Sequence, residues 1–170
     1  MILFTKKECI EIINLSNELP IIVRDGLNAD VKRPSADIKY VWYIIDRNEN
    51  TQWIFNRLYE YFEDSTGYKI IKELDKVQLH KYSVGDKFKK HQDVYNPRQI
   101  YNLGVCLNDD YGDGDFVLYN PDEKLPKKQG SIYGFKCNRY HEVKEITSGI
   151  RWSLIGFLFE THTNMKKILL

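Results

Sequence analysis

A histidine and an aspartate stand one residue apart, His91-Gln92-Asp93, in the polar stretch HKYSVGDKFKKHQDV at residues 80–94. On a β-strand their side chains point to one face, about 7 Å apart along the chain. A divalent ion above that face could take an imidazole nitrogen from one and a carboxylate oxygen from the other. Two ligands make a poor site, so a third must come from elsewhere in the chain. The histidines are His80, His91, His141 and His162. His141 opens a predicted strand in Arg139-Tyr140-His141-Glu142-Val143. After the turn Thr147-Ser148-Gly149 comes Arg151-Trp152-Ser153. Arg151 and Ser153 share one face of their strand, and Trp152 takes the other.

Two imidazoles and one carboxylate on one side of a metal are the donor set of non-haem Fe(II) centres with open coordination positions. The arginine fits the same chemistry. One carboxylate only partly neutralises Fe(II), and a dianionic keto acid would overshoot to net negative charge. Arg151 would restore neutrality, because a guanidinium forks onto a carboxylate through two parallel hydrogen bonds. Ser153 could add a hydroxyl donor.

Such residues need a scaffold that brings distant strands together. Thr5-Lys6-Lys7-Glu8 reads as a capping box. Cys9, Ile12, Ile13 and Leu15 then recur at helical spacing until Pro20. A loop rich in Asp, Asn and Pro follows from Asp25 to Asp37. The run IKYVWYIID, 38–46, is β-branched and aromatic and reads as a strand. Trp53, Ile54, Leu58, Tyr61 and Phe62 restore helical periodicity over 50–65, closed by Gly67. From residue 70 the texture changes to short candidate strands at 76–83, 87–92, 100–107, 115–119, 131–136, 140–146 and 151–159. Turn clusters at 83–86, 108–114 and 147–149 separate them. Many short strands with regular turns indicate a sandwich or barrel. The expected architecture is mainly β with N-terminal helices (α+β), in a single domain, 1–170. Residues 1–69 form a helical support region with one strand, and 70–160 the β core.

Bulk properties narrow the function classes. The 170 residues suit one hydrophobic core, and 42% hydrophobic and 14% aromatic content argues for a folded globule. A net charge of +1 gives no electrostatic reason to expect nucleic-acid binding. No apolar run approaches the roughly 20 residues that cross a bilayer, so no membrane association is expected. MILFTKKECIEII is interrupted by charge too early for a signal peptide. Cys9, Cys106 and Cys137 are odd in number and widely spaced, which suggests a reducing, cytoplasmic setting.

With the residues assembled, the run from Val77 to Leu158 resembles the 2-oxoglutarate, Fe(II)-dependent dioxygenases, particularly their prolyl 4-hydroxylase-like branch. The resemblance is carried by VQLHKYSVGDKFKKHQD (77–93), VCLNDDYGDGDFVLY (105–119), Pro126 followed by GSIYGF (130–135), and RYHEVKEITSGIRWSL (139–154). The N-terminal FTKKECIEIINLS looks like the helix that precedes the family's core. Asp113 separates Gly112 from Gly114 where the family pairs its glycines, which touches the shape of that loop. The resemblance implies a double-stranded β-helix, or jelly roll, with a metal in its mouth. It implies His91, Asp93 and His141 as iron ligands. It also implies Arg151 on the distal carboxylate of 2-oxoglutarate, with Ser153 as helper and Tyr82 near the co-substrate. The implied reaction is hydroxylation of an unactivated C–H bond, with 2-oxoglutarate and dioxygen converted to succinate and carbon dioxide. Ascorbate could serve as reductant. The implied substrate is a prolyl residue of a peptide or protein.

Other readings stand beside these. A free amino acid or another small metabolite is an alternative substrate. A non-catalytic jelly-roll metal-binding or sensor protein, or a cupin-like metal isomerase or hydrolase, would use the same architecture but leave Arg151-x-Ser153 unexplained. His80, two residues before Tyr82, reads as an edge or surface histidine, and His162 as part of a solvated tail. The acidic run 108–115 lacks the bidentate Glu of a calcium loop and reads as a hairpin turn. Lys87, Lys89, Lys90, Lys124, Lys127 and Lys128 read as solvated sheet edges more readily than as a ring attracting an acidic substrate. Trp42 and Tyr43 point oppositely, one buried and one nearer solvent or substrate. Tyr95 is a candidate substrate-facing aromatic, Cys106 and Cys137 are small core residues, and 24–37 with 94–100 could form a lid.

Overall fold

The computed structural model describes residues 1–24, 38–70, 76–93, 97–159 and 163–164. In chain order its elements are α1 (Lys6–Asn14), a 3-10 turn (Leu15–Asn17), β1 (Ile22–Arg24), β2 (Ile38–Asp46), α2 (Gln52–Thr66), β3 (Lys69–Ile70) and β4 (Lys76–Tyr82). There follow β5 (Lys87–His91), β6 (Gln99–Cys106), β7 (Gly112–Asp113), β8 (Phe116–Leu118), β9 (Glu123–Lys124) and β10 (Ile132–Lys136). The last are β11 (His141–Val143), β12 (Ile146–Ser148), β13 (Arg151–Phe159) and β14 (Thr163–Asn164).

The first helix begins where its sequence says it should. Thr5 Oγ1 accepts from Glu8 N–H at 3.3 Å, and the Glu8 carboxylate accepts from Thr5 N–H at 2.7 Å, so two of the donors that a helix start leaves unpaired are satisfied. Arg57, on α2, binds the same carboxylate at 2.7 Å and also donates to Leu3 O at 3.0 Å. The capping box therefore ties the two helices together as well as starting one. Gly67 closes α2 in the left-handed region, φ 72°, and its N–H donates to Glu63 O, the cap that glycine supplies without steric cost.

The strands form antiparallel layers that meet at β2. Val41–Asp46 of β2 pair with β4, whereas Ile38 and Lys39 pair with β5. One layer then runs β10-β6-β13-β4-β2 and the other β2-β5-β11-β8-β9, the jelly-roll arrangement. Period-2 alternation along the first layer divides its side chains between two clusters. Leu79, Leu103, Val105, Leu154 and Leu158 pack with Ile54, Phe55, Leu58 and Phe62 of α2. Tyr40, Tyr82, Phe116, Tyr133 and Phe135 fill the space within the roll. Tyr43 is buried with the helix-side cluster, and half-buried Trp42 packs on the interior one, so the opposed pair divides between the two sides of its strand.

The stretch predicted as one strand over 140–146 is two, β11 and β12. β12 leaves the main sheet to pair with β7. The acidic run is a structural turn. Asn108 accepts from Trp152 N–H at 2.7 Å and donates to Ile150 O at 2.7 Å, while Asp113 accepts from the Thr147 hydroxyl at 2.6 Å. Both glycines of that loop lie close against β12 side chains, and Gly114 also takes a positive φ of 63°. A Cβ on Gly112 would lie 2.4 Å from Ser148 Oγ, and one on Gly114 2.2 Å from Ile146 Cδ1. Asp113 between them takes a positive φ of 50°, a region that Asp tolerates better than most residues. Among the described residues no helix is long and apolar enough to cross a membrane.

Candidate metal centre

His91 ends β5 and His141 begins β11, and the register of these antiparallel strands sets them opposite each other. Directly opposed side chains share a face, and the two ring centroids lie 4.1 Å apart. Asp93 follows β5 by two residues, its N–H anchored on Cys137 O at 3.0 Å. The donor atoms of His91, Asp93 and His141 all lie within 4.8 Å of one another. His91 Nε2 is 3.5 Å from Asp93 Oδ1, and His141 Nε2 is 3.3 Å from Oδ2.

The tautomers follow from the second nitrogen of each ring. His91 Nδ1 lies 2.7 Å from Lys89 O and His141 Nδ1 2.9 Å from Arg139 O. A carbonyl only accepts, so each Nδ1 carries the proton and each Nε2 turns its lone pair toward the shared space. Aromatic rings fix both planes. Phe88 stacks on His91 at 3.6 Å between centroids, and Phe116 and Phe135 flank His141. Burial disfavours the charged imidazole and leaves the pKa of His91 below its usual value, despite the Asp93 carboxylate beside it. Burial alone would raise the Asp93 carboxyl. Protonated His141 and His91 would outweigh it through hydrogen bonds and charge and hold Asp93 well below the usual carboxylate range, a role that a cation bound to the neutral imidazoles would take over. The arrangement is an anionic oxygen and two neutral nitrogens around one point, a donor set for a divalent ion.

Arg151 lies deeper in the same cavity, at the start of β13 and paired in register with Tyr82 at the end of β4. It is 3% exposed. Nη1 donates to Ser153 Oγ at 2.9 Å, and the guanidinium lies over the Tyr82 ring, 5.3 Å from its centroid. Nε has no hydrogen-bond partner, and no carboxylate among the described residues pairs with Arg151. Burial works against its charge, but the phenols of Tyr133, Tyr111 and Tyr82 and the Cys106 thiol around it hold its pKa above the usual arginine range. Desolvation pushes Tyr133 up to about 12 and Tyr82 well above its ordinary value, although the nearby Arg151 charge pulls both down. Tyr133 owes its place to Gly104, where any Cβ would fall 2.2 Å from the phenol ring.

All six sequence-predicted site residues, His91, Asp93, His141, Arg151, Ser153 and Tyr82, line this one cavity. Sequence reasoning misplaced His80 and overlooked Asn102, Tyr133 and Gln78. His80 is 6% exposed, stacked near Tyr40 and bonded through Nε2 to Gln78 Oε1 at 2.8 Å. It is no edge histidine, because β4 runs between β2 and β13. The alternation that aligned it with Tyr82 gave its face, toward the cavity. Several of the lysines are engaged: Lys87 with Glu145, Lys124 with Asp115, and Lys90 over the Tyr119 ring at 3.9 Å. Lys127 donates to the carbonyl oxygens of Tyr111 and Asp113. Tyr95, His162 and the suggested lid residues 25–37 and 94–96 lie outside the described residues.

Residues 77–159 match the family model of the 2OG-Fe(II) oxygenase superfamily. No curated protein matches the chain. Among solved structures, it is similar to an oxidoreductase of the 2OG-Fe(II) oxygenase family from Burkholderia pseudomallei, at TM-score 0.70 and 19% identity, covering 97% of this chain and 85% of that one. It is similar to a Trichoplax adhaerens prolyl hydroxylase in complex with a hypoxia inducible factor oxygen degradation domain peptide fragment, at TM-score 0.70 and 17% identity, covering 91% and 77%. A Pseudomonas putida prolyl-4-hydroxylase follows at TM-score 0.68 and 13% identity, covering 92% and 88%. At such identities the structures establish the shared fold, and the match over 77–159, just under half of the chain, is to a superfamily of enzymes that use Fe(II) and 2-oxoglutarate.

Proposed function

We propose that the chain is a hydroxylase of prolyl residues in peptides or proteins, with His91, Asp93 and His141 as its iron ligands and Arg151 as the anchor of 2-oxoglutarate. Residues 1–170 act in this reading as one catalytic domain, with 1–69 supporting the 70–160 core. The observation that carries it is Arg151, a buried guanidinium with no acidic partner among the described residues. An uncompensated buried charge costs several kcal/mol, so its retention beside a metal donor set argues for an anion that arrives with the reaction. A dicarboxylate keto acid supplies one carboxylate to the arginine and has a second for the metal.

When bound, Fe(II) with 2-oxoglutarate and dioxygen supplies the oxidant that hydroxylates a C–H bond while the keto acid leaves as succinate and carbon dioxide. The protein's part is positional. His91 and His141 offer Nε2 lone pairs because their Nδ1 protons are held by Lys89 O and Arg139 O. Asp93 stays ionised. Ser153 accepts one Nη1 proton of Arg151 and so orients the fork. Phe88, Phe116 and Phe135 close the imidazoles off from water.

For the substrate, the cavity wall beyond the metal is neutral. Gln78, His80, Ile155, Phe157 and Phe159 line it, and Asp93 and Arg151 are its charged residues besides histidine among the described lining. Both are committed, so among the described lining a free amino acid would find no further counter-charge for its ammonium or carboxylate. An amide-linked, apolar residue such as proline meets no such penalty. The likeness to prolyl hydroxylases supports the same reading. The three cysteines are free and buried, in keeping with a reducing, cytoplasmic setting. The test is succinate formation with Fe(II) under air, comparing capped proline-containing peptides with free proline. Oxygen incorporation into peptides, lost in His91→Ala, is expected; turnover coupled only to free proline contradicts the substrate assignment.

A further inference from the structure

We infer that Asn102 is a positioning residue that holds Asp93 as a one-oxygen metal ligand, an inference that rests on the iron-site reading above. Asn102 lies on β6, is 1% exposed, and donates from Nδ2 to Asp93 Oδ2 at 2.7 Å. Its own amide oxygen accepts from Gln99 Nε2 at 2.8 Å. The two bonds fix its orientation. A flipped amide would face oxygen to oxygen at Asp93 and nitrogen to nitrogen at Gln99.

The consequence falls on the carboxylate. Its terminal torsion is soft and two-fold, while the Asp93 backbone is anchored through its N–H on Cys137 O. The charge-assisted bond from Asn102 selects one rotation and occupies Oδ2. Oδ2 also lies 3.3 Å from His141 Nε2, but it already accepts the Asn102 bond, which leaves Oδ1, 3.5 Å from His91 Nε2, as the less encumbered oxygen for the metal. A carboxylate that grips an ion with both oxygens uses two positions, and one that grips with a single oxygen uses one. With two imidazoles, the single-oxygen mode leaves three positions of a six-coordinate ion for small molecules, and the two-oxygen mode only two. Asn102 thus preserves coordination space without touching the ion. Gln99, half-buried on the cavity wall, holds Asn102 in place in turn.

Co(II) titration of the purified full chain tests this without turnover, read by calorimetry and by the visible absorption of bound Co(II). The variants are Asn102→Leu, which removes the donor at similar volume, Gln99→Met, which frees the Asn102 amide to rotate, and His91→Ala. Asn102→Leu is expected to bind Co(II) on the order of 10- to 100-fold more weakly, with an absorption spectrum altered by the change in bound oxygens. Gln99→Met is expected to shift both in the same direction by a smaller factor. Folded Asn102→Leu with wild-type affinity and spectrum overturns the inference. If Asn102→Leu does not fold, unchanged affinity and spectrum in Gln99→Met overturn it equally. If the wild type fails to bind Co(II), or His91→Ala binds it as tightly, the iron-site reading itself falls, a result separate from the first two.

Discussion

Arg151 separates stability from function. It is buried, lacks an acidic partner among the described residues and has an unpaired Nε. Replacing a buried charge by an apolar side chain of similar reach is often neutral or stabilising. Arg151→Met is therefore expected to melt at or above the wild-type temperature in the absence of ligands, yet to lose 2-oxoglutarate binding by at least about 100-fold, since a buried charge-assisted pair is worth roughly 3 kcal/mol or more. Calorimetry on the two proteins checks both halves. Gly104 makes a different demand. A methyl group there would overlap the Tyr133 ring, and overpacking of that kind costs about 1–3 kcal/mol. Gly104→Ala should lower the denaturation midpoint by that amount and weaken 2-oxoglutarate binding through the displaced phenol beside Arg151. Of these two features the sequence displays one. An arginine ten residues past a histidine can be read from spacing, whereas nothing around Tyr101-Asn102-Leu103-Gly104 marks a glycine that makes room for a tyrosine.

At the level of elements, local rules carry furthest where a motif closes on itself. The capping box at Thr5 and Glu8, the strand Ile38–Asp46 and the left-handed cap at Gly67 all occur where the sequence places them. Thr5→Ala is expected to cost about 1 kcal/mol, measurable by urea titration. Glu8 adds a pH dependence whose sign is fixed by its surroundings. The Thr5 backbone N–H, then the Thr5 hydroxyl and Arg57, lower its pKa below the ordinary 4.5. A carboxylate with a depressed folded-state pKa contributes stability that is fully present above the unfolded value and disappears as pH falls through the folded one. Glu8→Gln should therefore differ from wild type near pH 6 and converge on it well below pH 4. Elements fail to announce themselves when partner choice depends on distant chain. The division of β2 between β4 and β5, and the departure of β12 to pair with β7, are set by tertiary register that period-2 alternation does not encode. The same limit explains His80: its face was legible, but the central position of β4 in the sheet was not.

For the whole molecule, the fold matters because it gathers residues from separated strands. β5 and β11 bring the two imidazoles opposite each other, β6 supplies the donor to the carboxylate, and β4 and β13 carry the phenol and guanidinium deeper in. Residue types and order were enough to single out the three side chains that the fold brings together, because metal chemistry tolerates few alternatives to two imidazoles and a carboxylate. The cavity wall was not nameable in advance, since Gln78, Ile155 and Phe157 are ordinary strand residues until the roll closes around them. The most direct test of the convergence is a crystal structure grown without oxygen in the presence of Mn(II) and 2-oxoglutarate. The expected result is one ion about 2 Å from His91 Nε2, Asp93 Oδ1 and His141 Nε2, with the far carboxylate of the keto acid forked onto Arg151. An ion bound elsewhere, or a keto acid whose far carboxylate avoids Arg151, would contradict it.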